Sequence, residues 1–448
     1  MTRAQAAVFA AFLAMGLARA APSLRWPMVY DDLHLIREYT PAEIAASWVG
    51  NWDPDGIETP GYRPLSLLFN HARARLLGES VIAHRALLVA LYAAFVMLLV
   101  PLAARFGAGP GTVLLAGALM LASRCEVYGY VWITDGNHML QGLAFAGGAL
   151  LLLGGLDRGD PVRLVLSLVC LKAGMVVRED TLAVVPVVLL LGLAHLRRQG
   201  RPVPRLFYAY AALVALLSVG VLVFRAVMVP QAAAPGVDVH GLLMAIARVL
   251  GPTGIEAFGP ISRVLVLAGW AVLLVLVGGL VRYRNEVDWR GPALWLLSAV
   301  IACTPALNVL RDDLLFFPGT FVALFYATAA VALARRGGAV RALALGGIAV
   351  LMVASLCVSV VFAENFHPDS TRAVGWNMQV LLGEFADRAT VPAGRRQAAM
   401  ARLSELGIRA GEQPRQRVRD VAAAARAAGH RRPSPDGSLF VPLLPEGF

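Results

Sequence analysis

The chain has 448 residues, of which 58% are hydrophobic and only 15% are charged, and its mean hydropathy is +0.66. Soluble globular domains carry about 25% charged residues, and here the apolar residues form blocks long enough to cross a bilayer. This composition excludes a soluble enzyme, a disordered chain and a nucleic-acid-binding module. The formal net charge of +11 therefore indicates membrane topology and contact with anionic headgroups or phosphates.

The apolar blocks predict about eleven transmembrane helices, because about 20 apolar residues cross the hydrocarbon core of a bilayer. The blocks lie at 4–21, 86–104, 109–123, 139–156, 161–178, 181–196, 206–229, 261–281, 291–307, 317–334 and 340–363. The first block also has features of a cleaved signal peptide, but Arg19 interrupts the small residues at its end, which favours an uncleaved span. The predicted fold is an all-α integral membrane protein with a polytopic domain at 1–363.

Basic residues alternate between the connections of these spans and predict the orientation of the bundle. With the N-terminus inside, every inner loop is basic, as the positive-inside rule requires. Two long segments then lie outside, namely a structured first loop at 22–85 and a C-terminal tail at 364–448. Long segments translocate largely regardless of charge, so the arginines of the tail do not conflict with this orientation.

Both long outer segments contain helical patterns. In the first loop these run over 32–50 and 66–80 and are expected to lie on the membrane surface, and the turn formers at 51–64 predict an irregular stretch between them. The tail has two patterns, at 393–407 and 414–428. They fit either a small docked cap or a degenerate helical repeat, and a single pair favours the cap.

The scarce ionisable side chains of the predicted outer side fall into clusters. They are Asp31 with Asp32, Arg63, Glu126 with Asp135 and His138, Arg178 with Glu179 and Asp180, and Arg311 with Asp312 and Asp313. Each cluster has a purely structural alternative, such as a helix cap, a self-neutralised turn or a local ion-pair network. Charges at membrane depth are costly, however, and a set that shares one side of a bundle indicates a functional site.

Several short segments occur in an order that resembles the GT-C class of membrane glycosyltransferases. The likeness is closest to the transmembrane O-mannosyltransferases that carry tetratricopeptide repeats and to their bacterial relatives, and it spans about residues 1–335. The segments are Val29-Tyr30-Asp31-Asp32 with Ile36, Tyr62-Arg63-Pro64-Leu65, Val131-Trp132-Ile133, Arg178-Glu179 with Pro186, Thr304-Pro305-Ala306-Leu307-Asn308 and Leu315-Phe316-Phe317-Pro318.

The chain also departs from the pattern of this family at three places. Ser123-Arg124 replaces a His-Pro pair, and the acidic residue of that loop is displaced to Glu126. A Glu-Arg pair in the fifth outer loop becomes Asp312-Asp313, preceded by Arg311, and the tail lacks recognisable tandem repeats. The phosphate-contacting role of the fifth loop is therefore the weakest part of the resemblance.

The resemblance implies transfer of a sugar from a polyprenyl-phosphate lipid to an acceptor on the outer side, with inversion at the anomeric carbon. The acceptor hydroxyl or amine needs a base, for which Asp31 is the candidate, with Asp32 orienting it, although these roles can be exchanged. The phosphate leaving group needs positive charge, and Arg63, Arg178 and Arg311 are the candidates. The expected substrate-positioning residues are Tyr62, Glu126, Asp135, His138, Glu179 and Asp180.

No cofactor is expected. Asp31, Asp32, Glu126 and His138 could hold a divalent ion, chiefly through oxygen ligands, but the relatives work without one. The four cysteines show no paired spacing, which argues against a disulfide framework or a zinc site. The expected partners are the lipid-linked sugar, membrane lipids and an acceptor that is a protein, a lipid or a glycan, with no nucleic acid.

Two other functions remain open from the sequence, namely a transporter or flippase of lipid-linked sugars and a catalytically inactive scaffold related to the transferases. Transporters place charges near the bilayer midplane and often contain inverted repeats, whereas the charges here cluster at one rim and no half is repeated. The altered fifth outer loop is the reason why a catalytically inactive scaffold remains an alternative function. The Arg-, Ala- and Gly-rich composition favours a bacterial inner membrane, with the site facing the periplasm or the cell exterior.

Overall fold

The computed structural model describes residues 2–58, 61–123, 127–229, 238–251, 260–307, 312–363, 367, 371–383 and 385–405. Within these residues all regular structure is helical, which confirms the predicted all-α class. The α-helices in chain order are α1 Arg3–Ala20, α2 Asp32–Leu35, α3 Pro41–Ser47, α4 Pro64–Leu77, α5 Val81–Ala104, α6 Pro110–Ala122, α7 Tyr128–Val131, α8 Asn137–Arg158, α9 Pro161–Val177, α10 Val185–Arg198, α11 Arg205–Met228, α12 Val239–Leu250, α13 Pro260–Arg282, α14 Arg290–Ala302, α15 Phe316–Ala334, α16 Gly338–Ala363, α17 Thr371–Leu381 and α18 Ala393–Glu405.

Seven helical segments of the described chain are long and apolar enough to cross a membrane. They are Val81–Ala104, Thr134–Arg158, Glu179–Arg198, Arg205–Met228, Arg290–Leu307, Phe316–Ala334 and Gly338–Val360. Helices also occupy the other four predicted spans, as α1, α6, α9 and α13. Helix α9 has 17 residues, which reach only about 26 Å against a hydrocarbon core of about 30 Å. The chain is therefore a helical polytopic membrane protein.

The core of the bundle is built around α15. Of the 18-residue apolar stretch of this helix 83% is buried, against 11% for that of the peripheral α11. Aromatic rings fix α15 to its neighbours, since Phe321 packs edge-on against Phe145 of α8 at 5.4 Å and stacks with Trp295 of α14 at 6.3 Å. At the first residue of α15, Phe316 stacks with His138 at 5.4 Å. The apolar core thereby fixes the end of the bundle at which the predicted site residues lie.

Helix α1 packs into the same core. The ring of Phe12 meets Tyr92 of α5 edge-on at 4.9 Å. On α6, a Cβ atom at Gly117 would lie 2.8 Å from the Phe12 ring, so glycine is what permits the close approach of α1 and α6. This packing places the end of α1, at Ala20, at the beginning of the first loop.

The prediction of one helix over 32–50 is wrong, because the segment forms two short helices, α2 and α3. The break precedes Pro41, since a residue before proline disfavours helical backbone angles, and Thr40 accordingly has φ −69° and ψ 155°. The Thr40 hydroxyl accepts a hydrogen bond from the Glu43 N–H at 3.2 Å, and the Glu43 carboxylate accepts one from the Thr40 N–H at 2.7 Å. This capping box is readable in the sequence and starts α3 independently of α2.

The other secondary-structure predictions for the two long segments are confirmed where the structure describes them. The described part of 51–63 is irregular, and the helix predicted at 66–80 is α4. In the tail, α18 confirms the helix at 393–407, and the pattern at 414–428 lies outside the described residues. Helices α17 and α18 dock on the first loop through an apolar cluster formed by Leu33, Val374, Met378, Val380, Leu381, Phe385, Ala389 and Leu403.

Candidate functional site

The two aspartates of the first loop lie at a sharp turn that leads into α2. The preceding residue, Tyr30, has φ +56°, a left-handed conformation that is unusual for a bulky residue and is typically retained at functional sites. Asp31 makes no side-chain cap with α2, which removes the purely capping interpretation of this residue. The side chain of Asp31 is half-buried, whereas Asp32 is fully buried.

Asp32 is held rigidly by a loop that precedes α8. Its Oδ1 atom accepts hydrogen bonds from the Thr134 N–H at 2.7 Å and from the Thr134 hydroxyl, while its Oδ2 atom has no hydrogen-bond partner among the described residues. Burial raises the pKa of Asp32, and the hydrogen bonds from Thr134 and the charges of Arg85 and Arg73 only partly oppose this. Asp32 is therefore a fixed carboxyl group with an increased affinity for a proton.

The substitution Asp32→Asn is expected to raise the melting temperature near neutral pH, and the gain should shrink as the pH falls. Because burial raises the pKa of Asp32 above its ordinary value of 3.8, its contribution to stability is complete below that value and is lost as the pH rises through the folded-state pKa. The asparagine Oδ1 can still accept both hydrogen bonds from Thr134. Tryptophan fluorescence in detergent, recorded from about pH 4 to 8, measures the effect.

The matched control is Asp160→Asn at the partly exposed N-cap of α9, where asparagine caps as well as aspartate. Its melting temperature should follow that of the wild type across the range. A lower melting temperature of the Asp32→Asn variant at neutral pH would contradict the assignment of a raised pKa.

A second group of predicted residues forms a buried polar network where α8 begins and α9 ends. Arg178 donates to Asp135 Oδ1 at 2.8 Å, and its Nε lies 3.5 Å from Asp180 Oδ2. On the other side, Asp135 Oδ2 lies 3.2 Å from His138 Nε2. Gln141 completes the network, since its Oε1 lies 2.8 Å from His138 Nδ1 and its Nε2 donates to Asp180. Arg178 is only 5% exposed and forms ion pairs with two carboxylates, those of Asp135 and Asp180.

A third group surrounds Glu179. Its carboxylate accepts hydrogen bonds from the Tyr62 N–H at 2.6 Å and from Arg63 Nε at 3.0 Å, and it lies 3.3 Å from Arg225 Nε. Arg63 also lies over the ring of Trp52, at 5.3 Å from its centroid. The two arginine side chains are 21% and 31% exposed, and their Nη atoms have no hydrogen-bond partner among the described residues. This pair of guanidinium groups can therefore bind an anion in addition to Glu179.

The three groups are continuous. Thr134, which binds Asp32, is followed by Asp135 of the network, and Asp180 of the network is preceded by Glu179. The structure brings together the predicted residues Asp31, Asp32, Tyr62, Arg63, Asp135, His138, Arg178, Glu179 and Asp180. The predicted residues Glu126 and Arg311, and the side chains of Asp312 and Asp313, lie outside the described part of the chain.

Some residues of the site were not predicted from the sequence. Arg225 and Gln141 each place a polar group within an otherwise apolar span, a signal that could have identified them. Arg73 and Arg85 are almost fully buried and donate to the main-chain carbonyls of Ile133 and Val131, respectively. Thr134 had no distinguishing signal, because threonine is common in turns.

Cation binding finds no support in the described side chains, which contain no group of three or more His, Cys, Asp or Glu that could hold a metal ion. The described cysteines Cys170, Cys303 and Cys357 are not joined in a disulfide. The described carboxylates and arginines of the site can accept a proton and stabilise an anion, respectively.

These observations define a helical polytopic membrane protein with carboxylates and arginines converging at one end of the bundle. In comparisons with family models, curated proteins and solved structures, none matched the chain.

Proposed function

We propose that the protein transfers a sugar from a polyprenyl-phosphate lipid to an acceptor hydroxyl or amine at the membrane surface, with inversion of the anomeric carbon. The observation that carries the proposal is the convergence of a carboxylate pair and two partly exposed arginines at one end of an apolar bundle. A lipid-borne phosphate reaches such an end from the bilayer, and an acceptor reaches it from water. The ordered motifs that resemble GT-C enzymes, together with a helix at each of the eleven predicted span positions, support the same class.

The half-buried Asp31 is the proposed base. It takes the proton of the acceptor while the acceptor oxygen or nitrogen attacks the anomeric carbon, and the bond between that carbon and the phosphate oxygen breaks on the opposite face of the sugar. Asp32, fixed through Thr134, orients the turn that presents Asp31. The proposed positioning residues for the donor and the acceptor are Tyr62, Asp135, His138, Glu179 and Asp180.

The leaving phosphate carries negative charge that guanidinium groups stabilise. Arg63 and Arg225 suit this role best, because each contacts Glu179 through Nε and its side chain is partly exposed. Arg178 is the less suitable of the predicted phosphate ligands, since it is buried and lies between Asp135 and Asp180. We propose that Arg178 instead holds Asp135 and Asp180 in position.

The test is transfer by purified protein in proteoliposomes that contain radiolabelled polyprenyl-phosphate sugars and a panel of peptide, lipid and glycan acceptors. Label should move to one acceptor class. Arg63→Ala and Arg225→Ala should each raise the KM for the donor by roughly 10- to 100-fold, the equivalent of a lost hydrogen bond to a charged group. The matched control Arg201→Ala removes an exposed arginine from the loop that follows α10, whereas Glu179 precedes this helix, and should leave the KM unchanged.

The same preparation separates the other functions. Movement of labelled donor lipid across the bilayer without transfer of its sugar would replace the proposal with a flippase. Neither transfer nor movement with any donor of the panel would favour a scaffold. The proposed location, a bacterial inner membrane with the site facing the periplasm or the cell exterior, predicts that a cysteine placed at exposed Leu76 reacts with an impermeant reagent in intact spheroplasts.

A further inference from the structure

The C-terminal helix α18 contributes one buried arginine to the first loop. Arg395 is only 8% exposed, and its guanidinium group contacts residues more than 300 positions away in the chain. Nη1 donates to the main-chain carbonyls of Asp32 and Leu33, at 2.6 Å and 3.2 Å. Nε and Nη2 donate to the two carboxylate oxygens of Glu79, at 2.8 Å and 2.7 Å. One side chain thus binds the Asp31–Asp32 turn and the start of α5.

The contact with the carbonyls has a physical reason. Helix α2 has only four residues, so the carbonyl groups of its single turn lack the hydrogen bonds that a longer helix would provide. Arg395 satisfies two of them and keeps the turn closed. Since Thr134 holds the side chain of Asp32 and Arg395 holds its main chain, the residue is fixed from both sides.

Glu79 also holds Arg395 in position. The two parallel hydrogen bonds between them restrict the guanidinium plane as well as its position. The hydrogen bonds from Arg395 lower the pKa of Glu79, which keeps the pair ionised at neutral pH. Glu79 lies two residues before α5, a helix of the bundle core, so the arginine links the turn to a rigid element.

Docking of the tail does not depend on Arg395 alone. The apolar cluster around Leu33, Val374 and Phe385 joins α17 and α18 to the first loop. Thr390 adds two hydrogen bonds, from its N–H and its hydroxyl to the carboxylate of Asp55, at 3.0 Å and 2.9 Å. A variant without the arginine should therefore keep the tail in place and lose only the contacts with the turn.

We infer that Arg395 is a positioning residue for the carboxylate pair Asp31–Asp32, so that the C-terminal segment Thr371–Glu405 completes the site. The inference rests on the proposed function for its catalytic consequence, since the turn presents the proposed base. It assigns the tail to the chemistry of the bundle, a role that the sequence does not indicate. Arg395 does not contact substrate in this assignment and acts through the geometry of the turn.

Steady-state transfer by the full-length protein tests the catalytic consequence. Arg395→Ala should lower kcat by about 10- to 100-fold, the cost of a misplaced catalytic group, while the KM for the donor stays within about twofold. Arg395→Lys keeps the charge but cannot reach both the carbonyls and both Glu79 oxygens, so it should recover part of the loss. The matched control is Arg396→Ala, one position along α18, whose side chain donates to the Ala389 carbonyl and, among the described residues, to no atom of the turn.

Hydrogen–deuterium exchange tests the structural part without any transfer assay. The amides of residues 32–36 should exchange faster in Arg395→Ala than in the wild type or in Arg396→Ala, while those of α5 and α18 stay unchanged. Unchanged exchange in the turn, or a kcat of Arg395→Ala equal to that of Arg396→Ala, would overturn the inference. If Arg395→Ala exchanges faster in the turn but the wild-type protein transfers no sugar, the proposed function is refuted, while the structural role of Arg395 in the turn still holds.

Discussion

Replacing Asp31 with asparagine is expected to lower the transfer rate by about 10²- to 10⁴-fold, the usual contribution of a positioned general base. Asparagine keeps the size of the side chain and cannot accept the proton of the acceptor. The KM for the donor should change little, because the substitution leaves Arg63 and Arg225, the proposed phosphate ligands, in contact with Glu179. The measurement is kcat and KM for both substrates in proteoliposomes.

The control for this variant is Asp160→Asn, which replaces a carboxylate at the beginning of α9, away from the site. It should transfer sugar at the wild-type rate. If Asp31→Asn keeps full activity and Asp32→Asn loses it, the two carboxylates exchange roles, as the sequence allowed. Full activity of both variants would remove the base assignment.

The buried pair of Asp135 and Arg178 should dominate the stability of the site. The side chains are 6% exposed and joined at 2.8 Å, so removal of either partner leaves a desolvated charge behind. Asp135→Leu or Arg178→Met alone is therefore expected to lower the free energy of unfolding by about 3–5 kcal/mol. Reversible unfolding in mixed detergent micelles measures the loss.

The double substitution separates the ion pair from simple packing. Apolar residues of similar volume at both positions can replace a buried pair at little cost, so Asp135→Leu with Arg178→Met should be far less destabilised than the sum of the single variants. The control is Arg163→Met, which breaks a one-third exposed pair with Asp160 and should cost at most about 1 kcal/mol. Additive losses in the double variant would show that the pair contributes no coupling.

Much of the fold could be predicted because it depends on local composition. Apolar blocks of about 20 residues predict where helices form, and a helix lies at each predicted position. The predicted helix at 32–50 failed because periodicity was weighed above the stop signal of Thr40-Pro41. Capping residues decide helix ends even where the apolar stripe continues across them.

The site was predictable in part, and the reason lies in the distance along the chain. Asp32, Arg63 and Arg178 stood out because charge is scarce in an apolar sequence. Their partners did not stand out, since the Thr134 contact with Asp32 and the Arg225 contact with Glu179 arise only when distant segments pack. Arg395 was hidden among the many other arginines of the tail.

The contact between α18 and the first loop has a consequence for the biosynthesis of the protein. Arg395 is translated 363 residues after Asp32. At about 5–20 residues per second, the ribosome needs roughly 20–70 s to cover this interval. Throughout that time the Asp31–Asp32 turn of the nascent chain lacks its hydrogen bonds from Arg395. The turn that presents the proposed base is therefore completed only after Arg395 has been synthesised.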